Sequence, residues 1–150
     1  MYSVKDKHGN DVDKSLYKID FENKTFFSNK LNNLVIDFTG LDGWYFNTLS
    51  YCEFKTGNNC KFNTWHNCKF KTGNYCKFYT WYNCIFNIGN YCELKCYGNE
   101  YKLNKGFCFF DYYLRLHRDI DENWALLNTK HENEYIRDVC KFILKGNYDV

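Results

Sequence analysis

Residues 68–83 read Cys-Lys-Phe-Lys-Thr-Gly-Asn-Tyr-Cys-Lys-Phe-Tyr-Thr-Trp-Tyr-Asn, which is two successive copies of an octad that begins Cys-x-Phe-x-Thr. Copies of this octad span the centre of the chain, with cysteines at Cys52, Cys60, Cys68, Cys76, Cys84 and Cys92. Side chains alternate along a β-strand, so the first, third and fifth positions lie on one face. The repeat therefore predicts a stack of short strands whose buried face carries Cys, Phe and Thr.

The residue five positions after each cysteine indicates that two octads form one structural unit. It alternates between glycine (Gly57, Gly73, Gly89) and an aromatic residue (Trp65, Trp81, Tyr97). One octad would leave its phenylalanine without a packing partner, whereas two octads close a coil with two facing strands. We therefore predict a mainly β fold, a two-sheeted β-solenoid with sixteen-residue coils. Its predicted core is Cys52, Cys60, Cys68, Cys76, Cys84, Cys92, Phe54, Phe62, Phe70, Phe78 and Phe86.

Degenerate copies of the octad extend the repeat towards the N terminus. Ile36-Asp37-Phe38 and the segment from Trp44 to Thr48 fit the same frame. The predicted coils are residues 36–51, 52–67, 68–83 and 84–99. Tight corners require a left-handed backbone, which glycine and asparagine tolerate. The residues expected to adopt it are Gly57, Gly73, Gly89, Asn58, Asn74 and Asn90 at one edge, and Asn67, Asn83 and Asn99 at the other.

The flanking segments are expected to close both ends of the solenoid within a single domain, residues 1–150. Residues 1–35 predict a β-rich N-terminal cap. Residues 100–150 predict a C-terminal cap that contains one amphipathic helix at about residues 130–145.

Local signals set the limits of this predicted helix. Thr129 and Glu132 have the spacing of a capping box at its start, and Gly146 follows as its stop. The preceding segment, Asp119-Ile-Asp-Glu-Asn123, is expected to be a turn.

Composition and charge agree with a β-rich protein outside the membrane. Aromatic residues make up 21% of the chain and proline is absent, which suits strands better than a helical bundle. The net charge is only +2, although residues 51–105 contain eight lysines against three glutamates. The first residues lack the apolar core of a signal peptide, and no apolar run reaches 18 residues. We expect a cytoplasmic protein with reduced cysteines and no membrane partner.

The quoted octads resemble the Cys-x-Phe-x-Thr-Gly-x-Asn octapeptide repeats of uncharacterised proteins from phages and large DNA viruses. The resemblance covers about residues 44–99. It implies a viral protein in the host cytoplasm, and it brings no activity with it.

The cysteine columns are expected to be packing elements and not a metal site. Equivalent thiols at strand spacing form a line, whereas zinc requires a tetrahedron, and Cys-x-x-Cys is absent from the sequence. We predict no metal and no cofactor. Histidines and acids that could form an acid–base set (His66, His117, His131, Asp111, Asp119, Asp121) lack the spacing of any catalytic motif. We therefore expect a protein without enzymatic activity.

The aromatic edge is the candidate binding surface. Trp65, Trp81 and Tyr97 are expected to stack in a column, with further aromatic and basic side chains nearby, namely His66 and Tyr82 beside it and Lys61 and Lys77 on the adjoining face. Aromatic rings next to cations are typical of protein hot spots and of single-stranded nucleic acid sites. The alternative is that the two tryptophans fold inward as corner plugs.

Three functions remain open on the sequence. The first is a rigid protein-binding solenoid, a phage-type inhibitor that occludes a host defence enzyme or a nucleic-acid enzyme. The second is a structural virion component that self-assembles into a homo-oligomer through the solenoid ends or the C-terminal helix. The third is direct binding of nucleic acid or nucleotides by the basic and aromatic edge.

Overall fold

A computed structural model describes residues 2–145 and confirms the predicted fold, a mainly β solenoid of about four turns. Two seven-stranded sheets face each other. In spatial order, sheet A contains β1 (Ser3–Lys5), β4 (Val35–Phe38), β6 (Glu53–Thr56), β8 (Lys69–Lys71), β10 (Ile85–Ile88), β13 (Gly106–Phe110) and β14 (Leu116–Ile120). Sheet B contains β12 (Asn99–Leu103), β11 (Cys92–Cys96), β9 (Lys77–Tyr79), β7 (Lys61–Asn63), β5 (Tyr45–Asn47), β3 (Thr25–Phe27) and β2 (Lys18–Asp20). The helices are a 3-10 turn (Lys14–Leu16), α1 (Glu122–Asn128) and α2 (Glu134–Leu144).

Two interlocking columns of phenylalanine form the core between the sheets. Phe70 of sheet A pairs in parallel register with Phe54 and Phe86, each sixteen residues away. Rings within a column are stacked, with Phe70 5.1 Å from Phe54 and 5.0 Å from Phe86 between centroids. Phe62 and Phe78 of sheet B meet Phe70 edge-on, each at 5.1 Å. All the cysteines and phenylalanines of the predicted core are buried.

The first coil begins two residues earlier than predicted. Ile36 pairs with Phe54, so Ile36 occupies the Phe position of the octad and not the Cys position. Leu34 takes the Cys position, because its carbonyl accepts from Glu53 N at 2.8 Å as that of Cys52 accepts from Lys69 N at 2.9 Å. The cause is an insertion of two residues, Thr39 and Gly40: Phe38 still pairs with Thr56, but Gly57 N bonds to the carbonyl of Leu41.

The left-handed residue of each corner is the one before the cysteine. The residues with this conformation are Tyr51, Asn59, Asn67, Tyr75, Asn83 and Tyr91, with φ between 55° and 60°. The prediction was therefore right for Asn67 and Asn83. It was wrong for the set Gly57, Gly73, Gly89, Asn58, Asn74 and Asn90, none of which has positive φ.

The Gly-Asn pairs instead form a ladder of side-chain hydrogen bonds along one edge. Asn58 Oδ1 accepts from Asn74 N at 2.8 Å, and Asn74 Oδ1 accepts from Asn90 N at 2.8 Å. A Cβ atom on Gly73 would collide with Asn58 Oδ1. Glycine is required here because there is no room for a Cβ atom, and not because of the backbone conformation. The carboxamide of the asparagine in the preceding coil occupies the space that a side chain would need.

Each end of the solenoid is closed by antiparallel strands. At the N-terminal end β1 pairs with β4 and β2 pairs with β3. At the C-terminal end β13 pairs with β10 and β12 pairs with β11. The β11–β12 hairpin turns at Tyr97 and Gly98, whose φ values of 49° and 78° match a type I′ turn. Asn99 was wrongly predicted to be a corner residue, because it pairs with Cys96 within this hairpin.

The C-terminal segment contains two helices where one was predicted. Asp121 Oδ1 accepts from Trp124 N at 2.9 Å and caps α1, in the segment expected to be a turn. Helix α2 starts at Glu134, and its cap is Asn133 and not Thr129. Gly146, the predicted stop, lies outside the described residues. Within residues 2–145, no helix is both long and apolar enough to cross a membrane.

Both helices pack on the outer face of sheet A. The contact residues form a second apolar cluster that includes Ile85 of β10, Phe109 of β13, Ala125 of α1 and Val139 of α2. Ile85 occupies an outward octad position that carries glutamate or lysine in the other copies. Sheet B has no such cover in the described part of the chain, so its outer face and the adjoining corner are open.

Candidate partner-binding surface

The aromatic corner consists of Trp65, His66, Trp81, Tyr82 and Tyr97, which lie where the chain leaves sheet B. The indoles of Trp65 and Trp81 are stacked at 5.6 Å with an interplanar angle of 9°. Tyr97 meets Trp81 edge-on at 4.8 Å. Trp65 is 49% exposed, Trp81 36% and Tyr97 65%. The two tryptophans are therefore partly open to solvent and are not corner plugs.

His66 and Tyr82 form a second column beside the tryptophans. Their rings are stacked at 4.7 Å, and Tyr51 contacts His66 edge-on at 5.5 Å. His66 Nδ1 lies 2.8 Å from Asn67 Oδ1. Tyr82 continues the column onto Tyr112, at 4.9 Å, which follows β13. The column thus joins the solenoid to the C-terminal cap.

The predicted lysines, Lys61 and Lys77, each lie four residues before a tryptophan. Lys61 and Lys77 pair on the outer face of sheet B, but the neighbouring pair, Asn63 and Tyr79, is the one nearer to the corner. Lys77 Nζ also lies 3.9 Å from Glu93 Oε2. Both lysines therefore lie on the face that adjoins the corner, as predicted, but Asn63 and Tyr79 stand between them and the tryptophans.

Tyr79 and Lys95 adjoin the indoles, and sequence reasoning missed both as site residues. Lys95 Nζ lies 5.3 Å from the centroid of the Tyr79 ring and 2.9 Å from Glu100 Oε1. The hydrogen bond to Glu100 raises the pKa of Lys95 above its usual value. The alternation of side chains along a strand could have identified Tyr79, because it is an aromatic residue at an outward position of its octad.

A groove of about 450 Å³ lies between these two residues and Trp81. It is lined by Asn63, Tyr79, Thr80, Trp81, Lys95, Cys96, Tyr97, Gly98, Asn99 and Glu100. We call it the aromatic groove. Among residues 2–145, Lys95 and Glu100 are the only charged residues that line it, and they are paired with each other. The groove is therefore aromatic and close to neutral.

The opposite corner carries a comparable but separate pair. Tyr75 and Tyr91 are stacked at 5.2 Å and are 55% and 68% exposed. They occupy the left-handed position of the glycine corners. This pair is stacked like the tryptophans and is more exposed, and so provides an internal control for mutagenesis.

The histidines and acids considered for catalysis hold local structure. His117 Nε2 and Arg115 Nε each lie 2.9 Å from Asp111 Oδ2. Burial acts to raise the pKa of Asp111, but hydrogen bonds from His117 and the Arg115 backbone bring it below its usual value. His131 Nδ1 accepts from Asn133 N at 2.9 Å, just before α2. The three histidines (His66, His117, His131) thus bond to different partners. In residues 2–145 no cluster of three or more His, Cys, Asp or Glu side chains is set to hold a metal ion.

The six octad thiols occupy the interior of the corners, whereas Cys96, Cys108 and Cys140 are buried on β11, β13 and α2. Cys76 Sγ lies 3.6 Å from the Gly57 carbonyl of the preceding coil and 3.6 Å from that of Asn74. Burial raises the pKa of the Cys108 thiol to about 12. The Cys76 thiol lowers the pKa of Cys92, yet Cys92 is only 1% exposed. The reactivity of Cys92 is therefore limited by the access of reagents to its buried thiol, and not by the acidity of that thiol.

We expect DTNB at about pH 8 to modify none of the nine cysteines of the folded protein within minutes, since all nine are free and buried. After unfolding in guanidinium, all nine should react. The absorbance of the thiolate that DTNB releases counts the reactive cysteines in the folded and in the unfolded protein. Rapid reaction of a thiol in the folded protein would contradict the closed corners.

Comparisons with protein-family models, curated proteins and solved structures find no match to this chain. The resemblance of the octads to viral repeats stays a prediction.

Proposed function

We propose that this chain is a non-catalytic binding protein that docks a protein partner at the aromatic corner. The observation that carries the proposal is the stacked pair Trp65 and Trp81, which stays partly exposed while the neighbouring phenylalanines are fully buried. Exposed tryptophan and tyrosine on a rigid support are typical of interface hot spots, because they bury a large area at little cost in side-chain entropy.

The stacking geometry favours a protein partner over nucleic acid bases. A base inserted between two rings needs about 6.8 Å, twice the stacking distance of about 3.4 Å, but the indoles are 5.6 Å apart. The column therefore has no room for a base between its two indoles. The nearby Lys77 and Lys95 are paired with Glu93 and Glu100, which weakens attraction for a polyanion.

The solenoid ends favour a discrete binding protein over a self-assembling one. A parallel stack can grow by adding parallel strands, and here an antiparallel strand closes both sheets at both ends. Such closure limits edge-to-edge association. With the viral resemblance, the proposed action is inhibition by occlusion, in which the solenoid covers the working surface of a host defence or nucleic-acid enzyme.

The test is affinity capture from a lysate of the host cell with three tagged proteins: wild type, Trp65→Ala/Trp81→Ala, and the control Tyr75→Ala/Tyr91→Ala. We expect wild type and control to retain the same protein, and the tryptophan variant to lose it. Each hot-spot residue contributes about 2 kcal/mol or more to binding, so two removals weaken it about a thousandfold. Quantitative mass spectrometry measures retention.

Circular dichroism should show that the tryptophan variant keeps its fold, because both side chains lie at the surface. Equal retention by both double variants would contradict the proposed surface. Recovery of nucleic acid in place of protein, lost at raised salt, would support the third function instead.

A further inference from the structure

We infer that the aromatic groove binds an extended, proline-rich segment of the protein partner. This inference rests on the proposed function and names the chemistry of what it recognises. Proline-rich segments adopt a polyproline II helix and dock in grooves lined by aromatic side chains, where proline rings fit between aromatic ridges.

The walls of the groove supply such ridges. Trp81 and Tyr97 meet edge-on at 4.8 Å and form one wall. Tyr79 forms the other, held by Lys95 over its ring at 5.3 Å. Tyr79 is 52% exposed and Tyr97 65%, so both rings can be covered by a ligand. Tyr79 lies on β9, Trp81 in the corner that follows β9, and Tyr97 in the β11–β12 hairpin. The pairing of β9 with β11 keeps the ridges at a fixed separation.

The charge of the groove disfavours nucleic acid as its ligand. The single lysine and the single glutamate of the lining neutralise each other at 2.9 Å. A neutral groove does not attract the phosphates of a nucleic acid. A polyproline segment is uncharged, so it loses no ion pair on entering.

Hydrogen-bond donors complete the match. The backbone carbonyls of a polyproline II helix have no partners of their own. The groove contains the side-chain amides of Asn63 and Asn99 and the indole of Trp81. In residues 2–145 none of these three side chains makes a hydrogen bond, so their N–H groups are available to peptide carbonyls.

The test is calorimetric titration of the full-length protein with an acetylated, amidated decaproline peptide. We expect saturable binding that Trp81→Ala and Tyr79→Ala each weaken by about tenfold, whereas Tyr75→Ala/Tyr91→Ala leaves it unchanged. A Gly-Ser decapeptide, oligo-dT and cellohexaose serve as comparison ligands and should bind at least about tenfold more weakly.

Absence of saturable decaproline binding would overturn this inference, as would tighter binding of oligo-dT or cellohexaose. Partner capture that depends on Trp65 and Trp81 together with no decaproline binding would leave the proposed function standing and remove only the inference. Decaproline binding by a wild-type protein that captures no partner would remove the proposed function and leave only the affinity of the groove for a proline-rich peptide.

Discussion

Phe70→Ala is expected to lower the free energy of unfolding by about 3–5 kcal/mol. Phe70 is fully buried and contacts four other phenylalanines, two stacked and two edge-on, at 5.0–5.1 Å. Its removal leaves a cavity between two sheets that are joined at the corners of every coil, so the sheets can close over the cavity only in part. Urea denaturation followed by circular dichroism measures the change.

Lys71→Ala, on the same strand but with an exposed side chain, is the matched control and should change stability by less than about 0.5 kcal/mol. A loss below about 1 kcal/mol for Phe70→Ala would mean that the two phenylalanine columns do not interlock.

Gly89→Ala is expected to cost about 3 kcal/mol, although glycine-to-alanine changes often stabilise exposed turns. A Cβ atom on Gly89 would lie 2.7 Å from Gly73 C and 2.8 Å from Asn74 N, and would also meet Asn74 Oδ1. Two of these atoms belong to backbone and cannot move without breaking the stack. The coil must therefore shift and lose the Asn74–Asn90 hydrogen bond.

A comparison with Gly73 separates the side-chain clash from the backbone clash. At Gly73 the main collision is with Asn58 Oδ1, and the nearest backbone atom, Gly57 C, is 3.1 Å away. Asn58→Ala should therefore rescue most of the cost of Gly73→Ala, whereas Asn74→Ala should not rescue Gly89→Ala. Equal rescue in both pairs, measured by double-mutant cycles in urea, would contradict the backbone argument.

The architecture could be predicted from the sequence because the two-residue alternation within each octad and the sixteen-residue repeat indicate the same fold. Alternation within the octad set which side chains face inward, and the switch between glycine and aromatic residues set the sixteen-residue coil. The first coil was misplaced because the insertion of Thr39 and Gly40 keeps the apolar alternation intact while shifting the register. Pattern alone therefore offers two equally good frames for Ile36.

The corners and the C-terminal cap depend on features that periodicity does not report. Tyr75 and Tyr91 adopt the left-handed backbone as well as asparagine residues. The preference of glycine and asparagine for this conformation therefore did not identify the corner positions. Helix α1 is only seven residues long and has little room for a periodic pattern. The sequence did contain a signal for the site where this helix packs, because Ile85 is an apolar residue at an outward position of its octad.

The candidate site was predicted in part. The tryptophan column follows from the sixteen-residue spacing, whereas the exposure of Trp65 and Trp81 depends on corner backbone geometry, which alternation does not define. Lys61 and Lys77 were chosen by charge, yet Tyr79 and Lys95 lie nearer because they are two positions further along their strands.

The antiparallel closures have an evolutionary consequence. The closing strands pair only at the two ends of each sheet, so the interior of the rod is built from interchangeable modules. In-frame duplication of residues 68–83 would lengthen the rod by about 4.8 Å, keep both ends as they are, and add one more tryptophan to the exposed column. Unequal recombination could therefore change the length of the surface that this protein presents to a partner, without any change in the packing of the core.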